Sequence, residues 1–190
     1  MLVLASSSPY RRSLLERFRL PFSTVSPDID EAALAGERPQ ATALRLAETK
    51  ARTIAAVYPD AHIIGSDQVA VLDGKSLGKP EAYDAALAQL LAVRGRSVVF
   101  HTAVCLLEAH SGRCHLDDVP TTVHFGRYSV AQAARYLEIE KPYDCAGSAK
   151  IESLGIALVE RVDSTDPTAL IGLPLIALAS MLKSVGIEVL

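Results

Sequence analysis

A chain of 190 residues, 49% hydrophobic, with a formal net charge of only −3, is long enough for one domain with a substantial core. The near-balance of charge excludes a protein built to wrap polyanionic nucleic acid, so any phosphate binding must be local. Cys105, Cys114 and Cys145 show no paired spacing, and no basic N-terminal segment leads into an apolar run, which points to a reduced cytoplasm.

Leu2 to Ala5 is a short apolar run ahead of a serine cluster and reads as a buried strand. Ser8 and Pro9 then read as a helix N-cap and first residue, because the hydroxyl can take an orphan N–H and proline has none to lose. That helix carries Leu14, Leu15 and Phe18 on one side and ends before Pro21. It also puts Arg11 and Arg12 in the first turn, where the helix dipole disfavours each cation by about 0.3–1 kcal/mol. Either they sit on a solvated surface, or an anion belongs there. Without a ligand, removing either arginine is expected to be neutral or slightly stabilising.

"FSTVSP" alternates like a second strand, followed by the acidic "DIDE". From Gln40 to about Tyr58, Leu44, Ala47, Ala51, Ile54 and Ala55 recur at helical spacing until Pro59. "HIIGSDQVAVLDGKSLGKP" predicts a strand, an interruption at Gly65, more strand, and a turn at Asp73 and Gly74. "EAYDAALAQLLAVRG" is a helix closed by Gly95. The β-rich runs "SVVFHTAVCLLEA" and "VPTTVHFGRYS" flank the polar "HSGRCHLDD", which predicts a hairpin-like excursion. Ser129 and Gln132 form a capping box for a helix through Glu138. "IALVERVDST" resembles a strand, and Pro174 to Val185 a final helix. That last region is the most apolar, but Gly172 and Pro174 break it below the roughly 18 residues of a membrane span. Alternating helices and strands without repeats or linkers predict an α/β domain with a mixed sheet.

Asp67 is the most informative residue, because a carboxylate between "HII" and "VAVL" costs several kcal/mol if buried without a partner. It either caps a strand end, or it is a general base or metal ligand at the carboxyl end of a strand. Lys50 in "AETKA" is either a solvated lysine paired with a glutamate or a ligand-binding cation. Lys79 lies in the Gly-Pro loop "LGKPE", where a flexible cation can reach a ligand, and Glu31 closes "DIDE". His110, Cys114 and His115 in "HSGRCH" lack the four ligands of structural zinc and are expected at a polar hairpin tip. A P-loop and a nucleophile elbow are both missing.

Taken together and in order, "LASSSPYRR", "DIDE", "AETKA", "IGSDQV", "GKPE", "CAGSAKIESLG" and "DPTALIGLPLIAL" resemble the Maf-like nucleotide pyrophosphatases over almost the whole chain. The resemblance implies a single α/β domain over residues 1–190, elongated, with a mixed twisted β-sheet flanked by helices and a central nucleotide-binding cleft, similar to the inosine triphosphatase fold. It implies a cytoplasmic hydrolase that cleaves the α–β bond of a nucleoside triphosphate with a divalent cation, Mg2+ or Mn2+. By the same resemblance Asp67 is the proton acceptor, and Ser6, Arg11, Arg12, Lys50 and Lys79 line the phosphate path. Glu31 shares the cleft and, with Asp67, is the expected metal ligand. An anion at a helix N-terminus would then account for both arginines.

Tyr10, Gln68 and Glu152 stand where the dTTP/UTP branch usually has a basic residue, threonine and glutamine, and resemble the 7-methyl-GTP branch. Its cationic base suits an aromatic face and a carboxylate. Ala149, Ile151 and Ser153 in "GSAKIES" depart from that branch's pattern. The alternatives are a dTTP, UTP or other non-standard nucleotide pyrophosphatase, or a division regulator that binds nucleotide without turnover. The expected partner is the nucleotide, with neither a nucleic-acid polymer nor a membrane, and a homodimer is left open.

Overall fold

Strand Leu2–Ala5 (β1) is buried at every residue and pairs in parallel on both sides, with Ser23–Val25 (β2) and His62–Leu72 (β3). A strand inside a parallel sheet has no solvent face, so its sequence runs apolar without alternation. The remaining strands are Lys75–Leu77 (β4), Ser97–Glu108 (β5), Arg113–Phe125 (β6) and Val159–Ser164 (β7). The helices are Pro9–Glu16 (α1), Pro39–Ala55 (α2), Tyr83–Val93 (α3), Val130–Glu140 (α4) and Leu175–Ser184 (α5). The computed structural model describes all 190 residues.

The seven strands form one sheet in the order β2-β1-β3-β5-β6-β7, with β4 on β3. Parallel pairs at β1 and antiparallel pairs at β3–β4 and β6–β7 make it mixed, as the alternating sequence signals predicted. The chain divides into two compact units: Met1–Gln68, Thr102–Val119 and Asp166–Leu190 in one, Val69–His101 and Pro120–Thr165 in the other. In the first, β1, α1 and α5 close a core around Leu4, Leu14, Leu15, Ile64 and Leu178, with Phe18 packed against it. In the second, α3 packs on α4, and the buried Tyr128 hydroxyl donates to Leu90 O at 2.6 Å.

Local signals hold where a short-range bond enforces them. Ser8 Oγ accepts the Arg11 N–H at 3.4 Å, and both halves of the Ser129–Gln132 capping box are made. Asp73 and Gly74 take left-handed φ of 48° and 76° in the two-residue turn that pairs Leu72 with Lys75, as such a hairpin requires.

Four expectations change. The first helix stops at Glu16, which leaves Phe18 beyond its end, since Arg17, Phe18 and Arg19 turn back on the carbonyls three residues before them and Arg19 is left-handed. The second ends at Ala55, because the Val57 and Tyr58 N–H groups both return to Ile54 O. The polar excursion shrinks to Ala109–Gly112, so that Cys114 and His115 lie on β6. Ile156–Leu158 belongs to a 3₁₀ turn ahead of β7.

Gly65 does not interrupt β3, which is continuous from His62 to Leu72. A Cβ at Gly65 would overlap the Ala47 carbonyl oxygen of α2. The glycine is there for close approach of helix to strand, a role it can fill because it has no side chain.

Candidate functional site

That close approach is what brings Lys50 to Asp67. Asp67, on β3, is 7% exposed, and a carboxylate so placed needs a compensating partner. Lys50 on α2, itself 4% exposed, supplies it, with Nζ donating to Asp67 Oδ1 at 2.6 Å. The same Nζ lies 2.6 Å from Glu31 Oε1, whose side chain is half exposed. One ammonium therefore bridges two carboxylates.

Glu31 reaches Lys50 because the loop after β2 is tied to α2. Arg45 donates to Glu37 through Nε at 2.7 Å and Nη2 at 2.8 Å, and to Ala32 O at 2.9 Å. Glu37 also accepts the Leu34 N–H at 3.0 Å and the Thr42 hydroxyl at 2.9 Å. These donors, Arg45 foremost, hold the Glu37 carboxyl down at a pKa of about 2.

Arg11, in the first turn of α1, lies within electrostatic reach of both Asp67 and Glu31. Burial lowers its pKa and the two carboxylates oppose that effect. Its Nε donates to Gly172 O at 2.8 Å, the oxygen that also accepts from Ser66 Oγ at 2.8 Å. The helix-dipole expectation for Arg11 is therefore incomplete, because replacing it removes a tertiary bond as well as a cation.

The residue after Asp67 is bound to the same turn. Gln68 Nε2 donates to Ala169 O at 3.1 Å, Leu170 O at 3.0 Å and Thr102 Oγ1 at 2.9 Å. The turn is held from below by the N-terminus of α5. Pro174 offers no side-chain cap, so the buried Asp166 and Thr168 replace it, accepting the Ile176 N–H at 2.7 Å and the Leu175 N–H at 2.9 Å. Both neighbours of Asp67 thus grip a backbone turn that also positions Arg11.

Of the sequence candidates, the first unit brings Arg11, Glu31, Lys50 and Asp67 together. Ser6 is buried and accepts the Ser8 N–H at 3.1 Å. Tyr10 is half-buried at the start of α1. Arg12 faces outward and pairs with Glu16 at 3.1 Å. In the second unit, Lys79 is exposed in the loop after β4, and Glu152 lies at the surface. Desolvation of the Glu152 carboxyl raises its pKa, partly offset by Lys150. No three His, Cys, Asp or Glu side chains gather as metal ligands, and His115 approaches only Glu108, at 3.6 Å.

Sequence reasoning missed Arg45, Glu37, Ser66, Asp166, Thr168 and Gly172. "DPT" carries the side-chain-to-backbone turn signature that could have drawn attention to Asp166. The others have no local signal.

The family described as Maf-like protein matches residues 1–185. The chain is 58% identical over 185 residues to a protein of Cupriavidus metallidurans named 7-methyl-GTP pyrophosphatase, covering 97% of this chain and 93% of that one. A protein of the same name from Ralstonia nicotianae is 58% identical, with 97% and 95% covered. Another, from Methylobacillus flagellatus, is 56% identical, with 100% and 98% covered. Among solved structures, the Staphylococcus aureus Ham1 protein superposes with a TM-score of 0.45 at 15% identity, over 65% of this chain and 71% of that one.

Proposed function

The chain belongs to the Maf-like proteins, and from that premise we propose that it hydrolyses 7-methyl-GTP to 7-methyl-GMP and diphosphate, in the cytoplasm, with residues 1–190 acting as one domain. The observation that carries the reading is the buried Lys50 ammonium between Asp67 and Glu31, with Arg11 beside them. Opposed charges concentrated this way suit a polyphosphate and the water that attacks it. The choice of 7-methyl-GTP is supported by the names of relatives more than half identical over nearly the whole chain.

Asp67 takes the proton of the attacking water, and its contact with Lys50 orients the carboxylate for that task. Asp67 and Glu31 are the carboxylates that would hold Mg2+ or Mn2+, since such ions favour one or two carboxylates together with substrate phosphates. Bound there, the ion would supply charge neutralisation on the phosphates. Arg11 and Arg12 meet the triphosphate at the N-terminus of α1, where the dipole and the guanidinium groups act in the same direction. Ser6 and Lys79 are further phosphate contacts. Tyr10 offers a ring face and Glu152 a negative charge to a cationic 7-methylguanine. The Gln68 amide is committed to the Ala169 and Leu170 carbonyls, so it acts on specificity by placing that turn.

Diphosphate release from 7-methyl-GTP, GTP, dTTP, UTP and CTP, each with Mg2+ or Mn2+, tests the reading. The highest kcat/KM should fall on 7-methyl-GTP. Preference for dTTP or UTP would move the chain to the other branch, and binding without release would favour the regulator.

A further inference from the structure

We propose that Cys105 and Cys114 form a reversible oxidation site, at which a hydroperoxide converts the two thiols into a disulfide joining the neighbouring strands β5 and β6. The two Sγ atoms lie 3.1 Å apart in direct contact, and both cysteines are free. Their strands are adjacent in the sheet, so the contact is built into the fold rather than left to the flexing of a loop. Cys105 is fully buried, and Cys114 is half-buried. Only Cys114 can meet an oxidant from solution.

The surroundings assign the two roles. The bond from Cys105 lowers the pKa of the Cys114 thiol, and Arg52 of α2 acts in the same direction, while burial and Glu48 oppose it. The same bond and its burial push Cys105 up. Cys145 is pushed up to about 12 by burial and by Asp144 beside it. Since the thiolate is the species that reacts with peroxide, Cys114 is the entry point and Cys145 the internal control.

In the first step the Cys114 thiolate attacks the peroxide, forming an S–O bond and breaking the O–O bond. The sulfur is oxidised by two electrons to the sulfenic acid, and the alkoxide or hydroxide released takes a proton from water. In the second step Cys105 Sγ attacks Cys114 Sγ. The S–S bond forms as the S–O bond breaks, and the oxygen leaves as water with the Cys105 proton. Overall two thiols and one hydroperoxide give one disulfide, one alcohol or water, and one water. An external thiol reverses the change. A resolving sulfur already in contact traps the sulfenic acid before a second peroxide carries it to the irreversible sulfinic acid.

The test treats the full chain with hydrogen peroxide and follows thiol titration under denaturing conditions, intact mass and peptide mapping. Free thiols should fall from three to one, the mass should drop by two hydrogens, and a Cys105–Cys114 linked peptide should appear and vanish with dithiothreitol. In Cys105→Ala, Cys114 should accumulate sulfenic acid, trapped by dimedone, and then sulfinic acid. Cys145→Ser should behave as the parent. Three thiols surviving peroxide, a disulfide through Cys145, or sulfinic acid at Cys114 in the parent as fast as in Cys105→Ala would each overturn the proposal.

Discussion

Replacing Lys50 by methionine keeps an unbranched apolar stem one atom shorter than lysine and removes one charge from between two carboxylates. At 2.6 Å and an effective dielectric near 20, a unit pair attracts by about 6 kcal/mol. Desolvation of the ammonium offsets part of that. Glu31 is half exposed, and its contact adds no more than about 1 kcal/mol. The larger effect is the stranded Asp67 carboxylate, because breaking a buried pair from one side costs about 3–5 kcal/mol. Lys50→Met should lose stability of that size. Asp67→Asn should lose less, since its amide oxygen still accepts from Lys50, which retains Glu31. The double variant removes the stranded charge, so a cycle of the four proteins should give a coupling of about 2–3 kcal/mol. Urea denaturation at one pH measures it, provided the m-values agree. A Lys50→Met protein within about 0.5 kcal/mol of the parent, or an additive cycle, would refute the reasoning that this charge set is held together by Lys50.

The two arginines should separate. Arg11→Ala should destabilise the ligand-free protein by about 1.5–3 kcal/mol through the lost charged hydrogen bond to Gly172 O, while Arg12→Ala, losing an exposed pair, should stay within about 0.5 kcal/mol, both read from urea midpoints. Asp67→Asn should keep a native circular dichroism spectrum and lose about two orders of magnitude or more in kcat; chelation with EDTA should abolish diphosphate release and added Mg2+ or Mn2+ restore it, and full activity in EDTA would remove the metal. Glu152→Gln should lower the 7-methyl-GTP to GTP ratio of kcat/KM by roughly ten- to a hundredfold, and Tyr10→Leu by less. Because the Glu152 pKa is raised, its charge is lost early on acidification, so the parent's preference should grow as pH rises through that titration. Glu37 has its pKa lowered from 4.5 to about 2, so its contribution to folding is present above about 4.5 and lost as pH falls towards about 2. Glu37→Gln should therefore lower the melting temperature at neutral pH, and the gap to the parent should close across that acid window.

The amino-acid sequence by itself determined the features whose causes are local. The apolar run of β1, the Ser8 and Ser129 caps and the Asp73–Gly74 hairpin each depend on residues a few positions apart, where one side chain meets the backbone beside it. The ordered blocks from "LASSSPYRR" to "DPTALIGLPLIAL" likewise sufficed to identify the family, since that takes only residue identity and spacing. Tertiary structure decided what those residues do to one another. Gly65 reads as a strand break until α2 is seen lying against it, and Lys50 reads as a solvated lysine until that approach buries it on Asp67. Arg11 and Arg12 look equivalent in sequence, but adjacent helical residues point about 100° apart. One meets Gly172 O and the other pairs with Glu16 at the surface. Arg45 and Glu37, Gln68 and the Ala169–Leu170 carbonyls, and Cys105 and Cys114 are pairs whose partners meet only after folding. The energy of each depends on burial and distance, and neither is a property of a residue in its sequence neighbourhood.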